Sequence, residues 1–385
     1  MKRSISILAG LLLAMPVLAQ QGVTKNEILL GAITDLSGPI ASVGVNTRDA
    51  MMMRIDEANA AGGIHGRKIR MLVEDSGYDP KRSVMAAQKL VTGEKVFAIV
   101  GHVGTANNVA TMPILFENNV ISFMPMSGGR AMFDPPERLK IALIQPNPDL
   151  IEAGIRYLVK KKNHTKVCVL YQDDEFGQEH LRGTEAALKA LNMPLTERAS
   201  YKRGATDFST QIARLKGAGC TLVGLGTVVR ETIGVMTEAQ KSDFKPDFMG
   251  GEAVYSTTTH QLGGKATEGL YAMHGMNNVY ADDDSKVVRD WVAAYKAKYK
   301  MDPTITSVYA YSFMDIFVAA AMKAGPNLTT DTLIDTMESN VFPSKLGGPE
   351  FKLTKTMRLG ASQLSAAQIQ NGRWVQLGDA VSVQR

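Results

Sequence analysis

The sequence of 385 residues is poor in cysteine, in net charge and in long apolar segments. Its two cysteines, Cys168 and Cys220, lie in apolar runs typical of strands, where a disulfide and two buried thiols are equally compatible with the pattern. The 43 Lys and Arg residues exceed the 38 Asp and Glu residues by five, and Lys2 and Arg3 supply two of these. Numbers of basic and acidic residues that are this similar do not indicate a nucleic-acid-binding protein. Beyond the N-terminal segment, we find no run that is apolar over the about 20 residues that a membrane span needs.

Sequence motifs of common enzyme classes are also missing. There is no Gly-x-Ser-x-Gly turn, no His-Glu-x-x-His helix and no phosphate-binding loop that ends in Lys. The glycines at 224 and 226 lack the third glycine of a dinucleotide-binding loop. The six histidines show no metal-ligand spacing, and the adjacent acids at 282–284 cannot all face one calcium ion. We therefore predict a protein that is not an enzyme and that has neither a cofactor nor a metal.

The first nineteen residues have the pattern of an export signal. Lys2 and Arg3 precede an apolar run at 5–15, and small residues at 17–19 fit a cleavage site after Ala19. The apolar run is too short to span a bilayer. Because no cysteine follows it, a lipid-anchored form is not expected. We predict a signal peptide over 1–19 and a mature protein in the periplasm.

The remainder of the chain alternates short apolar runs with helical patterns, and does so twice. The first series has strand-like runs at 28–33, 69–73, 97–100 and 120–123, and the second has them at 166–171, 221–225 and 247–250. Two prolines at 145–148 interrupt the pattern between the series. Continuous apolar strands separated by helices indicate parallel sheets covered on both faces. The predicted fold class is α/β, with two doubly wound parallel-sheet lobes.

The loops after three of the predicted strands are rich in Gly, Ser and Thr. They cover 34–39, 101–108 and 124–129, and each opens onto a helix or a turn. In open parallel sheets, ligands bind outside the carboxyl ends of the strands. Backbone N–H groups at a helix start can also hold an anion. Each loop alone could be an ordinary turn, but three of them in one lobe favour a binding cleft.

Seven motifs, in this order and spacing, resemble the periplasmic solute-binding proteins of branched-chain amino-acid (Leu/Ile/Val) ABC transporters. They lie at 35–39 (DLSGP), 59–69 (NAAGGIHGRKI), 74–80, 101–105 (GHVGT), 171–177 (YQDDEFG), 207–216 and 248–252 (FMGGE). The resemblance runs over nearly all of the mature chain. It implies a type I periplasmic binding protein, whose two lobes close on a ligand like a clamp.

The resemblance also implies which residues hold the carboxylate of an amino-acid ligand. Thr105 follows the third strand and Ser127 follows the fourth, and their hydroxyl groups correspond to those that bind a carboxylate in such proteins. Backbone N–H groups near Ala106, Gly128 and Gly129 would assist them. Charge-assisted hydrogen bonds suit this role, since an unpaired buried charge is costly.

Other positions of the same family pattern would contact the rest of the ligand. Glu252 corresponds to the acidic residue that receives the ammonium group, and Phe176 to an aromatic residue that packs on the ligand, here without the hydroxyl of a Tyr. Val43 and Thr227 are small where relatives often carry an aromatic residue, which enlarges the side-chain end of the pocket. His102, beside the predicted site, is either a ligand contact or a structural histidine. An aromatic acid, an amide and a larger amino acid therefore stay open as ligands.

From the family pattern we expect lobe one at 24–146 plus 278–342 and lobe two at 147–277 plus 343–385. The chain would cross the hinge three times, and closure would be a hinge motion. The expected partners are a small amino acid or related carboxylate and the membrane permease of an ABC transporter, with the protein itself a monomer. Two alternatives are a binding protein for an aromatic acid or amide and a ligand-sensing module that feeds a receptor.

Overall fold

The computed structural model describes residues 20–378, so the predicted export signal at 1–19 lies outside the described residues. The chain first builds one α/β unit from β1 (Glu27–Thr34), α1 (Ala41–Ala60), β2 (Lys68–Asp75), α2 (Pro80–Gln88), β3 (Ala98–Val100), α3 (Thr105–Glu117), β4 (Ile121–Phe123) and β5 (Lys140–Ile141). A second unit follows, with α4 (Asn147–Lys162), β6 (Val167–Gln172), α5 (Glu175–Ala190), β7 (Glu197–Tyr201), α6 (Ser209–Gly217), β8 (Leu222–Gly226), α7 (Val229–Lys241), β9 (Asp247–Gly250), α8 (Thr257–Gly263) and β10 (Tyr271–His274).

The C-terminal part of the chain returns to the first unit and then to the second. It consists of α9 (Lys286–Tyr299), α10 (Ile305–Ala324), α11 (Thr330–Ser339), β11 (Val341–Phe342), β12 (Phe351–Lys352), β13 (Ser365–Gln370) and β14 (Arg373–Gln376). The links between β5 and α4, between β10 and α9, and between β12 and β13 are the three crossings. This confirms the predicted fold of two α/β lobes joined by a hinge that the chain crosses three times.

The first sheet is parallel throughout, in the order β2-β1-β3-β4-β5. Its interior strand β1, which pairs with β2 and β3, is apolar at nearly every position because helices cover both faces. Ile28 and Leu30 are buried in the same core cluster as residues of α1 and α10. Leu29 and Ile33 point to the opposite face and pack with α2 and α3. Strand alternation therefore distributes the side chains of β1 between two cores.

The second sheet has the order β14-β13-β10-β9-β8-β6-β7. Strands β6 to β10 are parallel, as expected, but β13 and β14 are antiparallel. The difference follows from the topology. β10 ends at the hinge, and the chain re-enters this lobe from the hinge, so a strand placed directly beside β10 must run in the opposite direction. A parallel partner would need a long crossover connection.

The last crossing lies later than we expected. We predicted a change of lobe at 343, but residues 351–360 contact the first sheet. Arg358, whose side chain is fully buried, donates to the backbone oxygen of Lys140 at 2.8 Å and forms an ion pair with Glu338 at 2.7 Å. The buried guanidinium holds residues 351–360 on lobe one, and the chain passes to the sheet of lobe two only after this segment.

Cys168 and Cys220 form a disulfide. Cys168 lies in β6 and Cys220 lies two residues before the start of β8, and these strands are neighbours in the second sheet. The Cα atoms are 5.9 Å apart, a separation that a disulfide spans. The sequence had left a bridge and two free thiols equally open, and the adjacency of the two strands decides between them.

Within the described residues, one helix is long and apolar enough to cross a membrane, namely α10. The sequence analysis had found no such segment. Of its most apolar window, 89% is buried inside the protein. The helix packs against α1 and supplies Phe313 and Phe317 to the core of lobe one. Its apolar composition is therefore explained by packing within this lobe.

Candidate functional site

A cavity with a free volume of about 110 Å³ lies between the two lobes, at the carboxyl ends of their strands. The first lobe and the start of α4 contribute Ile40, Ser42, Val43, Asn46, Tyr78, Val103, Gly104, Thr105, Met126, Ser127, Gly128, Ile144, Asn147, Thr304, Ile305, Thr306 and Tyr309. The second lobe contributes Phe176, Val228, Val229, Glu252, Ala253, Ser256 and Thr258. A single water needs only about 10–15 Å³ of such space, so the cavity can hold a ligand of several atoms.

Two hydroxyl groups and a helix start form one polar corner of the cavity. Thr105 is the first residue of α3, and its Oγ1 lies 2.9 Å from the Oγ of Ser127. The N–H of Gly129 donates to the same Ser127 oxygen at 3.1 Å. The first N–H groups of a helix have no carbonyl partner within it and carry a partial positive charge. This corner therefore has the donors that an anion requires.

The close approach of backbone and ring at this corner depends on Gly104. Its φ is +97°, a conformation that L side chains rarely adopt. A Cβ atom at this position would lie 2.8 Å from the ring of Tyr78. The glycine therefore allows α3 to begin directly behind the aromatic wall of the cavity.

Glu252 occupies the opposite lobe, after β9. One carboxylate oxygen, Oε2, accepts a hydrogen bond from the N–H of Gly275 at 2.9 Å. The other, Oε1, is buried and has no hydrogen-bond partner among the described residues. The Tyr309 hydroxyl faces the same carboxyl group but lies outside hydrogen-bonding geometry. Burial raises the pKa of Glu252 to about 8, although the Gly275 N–H acts in the opposite direction.

The wall between these polar groups is apolar. Ile40 and Val103 of lobe one form one buried cluster with Phe176 and Val228 of lobe two, and Val43 packs against it. The Phe176 ring also lies against His180, with 4.4 Å between the ring centres. Burial lowers the pKa of His180 to about 4, so this histidine is neutral near pH 7. The central part of the cavity thus offers apolar contact without charge.

Six of the ten residues predicted for the site line this cavity: Val43, Thr105, Ser127, Gly128, Phe176 and Glu252. The other four are not among its lining residues. Ala106 and Gly129 directly follow lining residues. The hydroxyl of Thr227 pairs with that of Thr232 at 2.6 Å, and the next two residues of the chain line the cavity instead. His102 is buried beside Thr111, 3.3 Å from its hydroxyl, and burial lowers its pKa to about 3, which fits a structural histidine.

Several lining residues had no signal in the sequence. Tyr78 follows β2, Asn147 begins α4, and Thr304 and Tyr309 lie at the start of α10. None of them belongs to a Gly-rich loop, and α10 is more than 150 positions away from the residues it faces in α3 and β4. Polar residues at helix starts were the only clue, and capping explains such residues equally well.

The lobes also contact each other at one edge of the cavity, through Tyr78 of lobe one. The guanidinium of Arg203, from lobe two, lies 4.4 Å from the centre of the Tyr78 ring and donates to the Tyr78 backbone oxygen. Arg203 also pairs with Asp174 at 2.5 Å, and Gln172 donates to the Tyr78 hydroxyl at 3.3 Å. Tyr78 has a φ of +58°, which is unusual for a bulky residue. We call this set of contacts the cross-cleft contact.

The fold and the inter-lobe cavity define a two-lobed solute-binding protein, and comparison with known proteins agrees. The family model described as periplasmic binding protein matches residues 27–373, so the chain belongs to this family. Members of the family bind solutes, which confirms the prediction of a binding protein rather than an enzyme. The Leu/Ile/Val-binding protein homolog 2 of Brucella abortus is 26% identical over 349 residues, which cover 90% of this chain and 91% of that protein.

Two solved structures show the same fold. The branched-chain amino acid transporter substrate-binding protein of Streptococcus pneumoniae, in complex with isoleucine, has a TM-score of 0.80 at 19% identity. The match covers 93% of this chain and 100% of that one. A solute-binding protein of an R. palustris ABC transporter, in complex with benzoate, has a TM-score of 0.83 at 16% identity, over 93% of this chain and 98% of that one. The same architecture therefore holds an amino acid in one protein and an aromatic acid in another.

Proposed function

We propose that this protein binds an α-amino acid between its lobes, in the periplasm, and delivers it as a monomer to the permease of an ABC transporter. The observation that supports this most is the pairing of two opposite polar ends in one cavity. The hydroxyl groups of Thr105 and Ser127 lie on one lobe, and the unpartnered Oε1 of Glu252 lies on the other. A zwitterion complements both ends at once.

In this proposal the ligand's carboxylate lies at the start of α3 and accepts hydrogen bonds from Thr105, Ser127 and the adjacent backbone N–H groups. Its ammonium group donates to Oε1 of Glu252. Because the two ends belong to different lobes, both charges are paired only when the lobes are closed. The ligand therefore favours the closed form through contacts that the open form cannot make. The lobes are the rigid bodies of this motion and the three crossings are its hinge.

The carboxyl group of Glu252 favours an amino acid over an aromatic acid such as benzoate. An aromatic acid could use the anion corner and the apolar wall, but it has no group for Oε1. The buried carboxyl group would then stay unpaired, which is costly for a buried polar group. The name of the Brucella relative, a Leu/Ile/Val-binding protein homolog, supports the same choice. The R. palustris complex makes an aromatic acid the second candidate.

A thermal-shift screen of amino acids and aromatic acids tests the proposal, since a ligand that binds only the folded form raises the melting temperature. Glu252→Gln provides the matched variant. For an amino acid, this change should weaken binding by about 2–5 kcal/mol, the range for truncating one partner of a buried charge pair. Glu117→Gln, at the exposed end of α3, is the control and should bind as the wild type does.

Two results would contradict the proposal. The first is a shift of the melting temperature by benzoate or a related acid when every amino acid leaves it unchanged. The second is calorimetry in which Glu252→Gln binds the amino acid as tightly as the Glu117→Gln control. A genetic test separates transport from sensing: loss of the protein should abolish uptake of the amino acid into cells.

A further inference from the structure

A second recess, the mouth groove, adjoins the cavity where the two lobes meet the solvent. Residues of both lobes line this groove. Five residues line both spaces, so the groove is continuous with the cavity: Ile40, Ser42, Val43, Val229 and Thr258. Beyond them it is lined by Pro39 of lobe one and by Ile233 and Leu262 of lobe two.

Most of the described residues that line the mouth groove are apolar, two of them (Ser42 and Thr258) carry hydroxyl groups, and the one charged residue is already paired. Arg230 forms an ion pair with Glu231 at 2.8 Å. Leu262 is 73% exposed, the largest value among the large apolar side chains of the described chain. A single exposed leucine is ordinary, but this one lies on a groove continuous with a ligand cavity. An apolar group that filled the groove would remove it from water.

We propose that the ligand is an α-amino acid whose side chain is unbranched or aromatic, apolar, and longer than that of leucine, and that its far end lies in the mouth groove. This inference rests on the proposed function, which places the ligand's polar end between Thr105, Ser127 and Glu252. The side chain then passes between Val43 and Val229. Among the described residues that line the groove, none offers a free charge that would pair with the side chain of Arg, Lys, Asp or Glu.

The small size of the Val43 and Val229 side chains supports this path for the side chain of the ligand. Val43 begins the lobe-one side of the passage, on the first turn of α1, and Val229 begins the lobe-two side, at the start of α7. A larger side chain at either position would narrow the connection between the two spaces. The groove lies outside the cavity and is lined by apolar residues such as Pro39, Ile233 and Leu262, so a longer side chain gains apolar contact there without having to compress the cavity.

A homologous series of ligands tests the inference: norvaline, norleucine, α-aminoheptanoate and α-aminooctanoate, measured by calorimetry. Each added methylene should raise the affinity of the wild-type protein about fourfold, the value for burying one methylene. Leu262→Glu, which places a carboxylate at the groove, should reduce the affinity for α-aminooctanoate about fivefold or more and leave norvaline unchanged. Met85→Glu is the control, because Met85 is also exposed, at 61%, but lies on α2.

The inference is overturned if affinity reaches its maximum at norleucine and declines with longer chains. It is also overturned if Leu262→Glu and Met85→Glu bind α-aminooctanoate equally well, as they would if the groove served only to dock the permease. Failure of norvaline, leucine and the longer acids alike to bind the wild type would instead refute the proposed function. A rising series with a selective effect of Leu262→Glu supports both.

Discussion

The ionisation of Glu252 makes a quantitative prediction about how ligand binding depends on pH. Burial raises the pKa of this carboxyl group to about 8 in the ligand-free protein. An ammonium group beside Oε1 would favour the charged form and lower the pKa again. The ligand therefore binds the form of the protein in which Glu252 is ionised. Below pH 8, most protein molecules must lose the Glu252 proton before they bind the ligand. At pH 6 about one carboxyl group in a hundred is ionised, and at pH 7 about one in eleven.

Affinity for the amino acid should therefore rise about tenfold per pH unit between pH 6 and pH 7 and level off above pH 8. Calorimetry in two buffers of different ionisation enthalpy should show close to one proton released per ligand at pH 6. Glu252→Gln should abolish both the slope and the proton release. His180 and His102, buried with lowered pKa values of about 4 and 3, do not titrate in this range.

An affinity that stays constant from pH 6 to pH 8, or binding without proton release at pH 6, would refute this reasoning. The ligand-free protein supplies an independent check. Because the folded pKa lies above the unfolded value of 4.5, the contribution of Glu252 to stability is fully present below pH 4.5. It is lost as the pH rises toward 8, by about 1.4 kcal/mol per unit at most. Glu252→Gln should remove that loss from the unfolding free energy measured with denaturant.

Three other perturbations test the structure. Arg203→Ala should weaken ligand binding roughly tenfold, because it removes a cation–π contact and a hydrogen bond to Tyr78 across the cleft. Stopped-flow measurements should show the loss mainly as faster dissociation of the ligand, and an unchanged dissociation rate would show that the cross-cleft contact does not hold the closed form. Glu338→Ala should lower the unfolding free energy by about 3 kcal/mol, because it leaves the charge of the buried Arg358 unpaired. The control Asp331→Ala, which breaks an exposed ion pair, should lower it by less than about 1 kcal/mol, and equal losses in the two variants would contradict the role of Arg358. Reduction of the disulfide, which closes a loop of 52 residues, should cost about 4 kcal/mol in urea unfolding, and an unchanged midpoint would exclude a stabilising role.

Local pattern was sufficient for most of the elements. The sequence pattern predicts helices near 44–61, at about 285–299 and at about 306–324, and the structure has α1 at Ala41–Ala60, α9 at Lys286–Tyr299 and α10 at Ile305–Ala324. Of these, α9 combines an amphipathic period with a cap, since the side chain of Ser285 accepts a hydrogen bond from Val288 N–H. The apolar spacing at about 207–216 predicts a helix with Thr206 as its N-cap. In the structure this helix, α6, begins at Ser209, and Asp207 rather than Thr206 accepts the Ser209 N–H.

The candidate site was predictable where it follows strands in sequence and not where the chain returns from a distance. Thr105, Ser127 and Glu252 line the cavity as predicted from motifs that come directly after β3, β4 and β9, and their role toward a ligand stays a prediction. Tyr309 was missed because nothing in its own helix distinguishes a residue that faces the cleft from one that faces the core. Thr227 was placed one position too early, because the turn after β8 directs its hydroxyl toward Thr232.

Sequence alone determined the α/β class, the double series of strands and the loops that would hold a ligand, because these depend on side-chain periodicity and on the ends of individual strands. Tertiary structure decided what depends on contacts between distant segments. It paired Cys168 with Cys220, kept residues 351–360 on the first lobe through Arg358, and turned β13 against β10. It also brought a lone buried carboxylate oxygen of Glu252 opposite two hydroxyl groups of the other lobe. Burial is what changes the charge of that group, and burial is a property of the closed fold rather than of any segment within it.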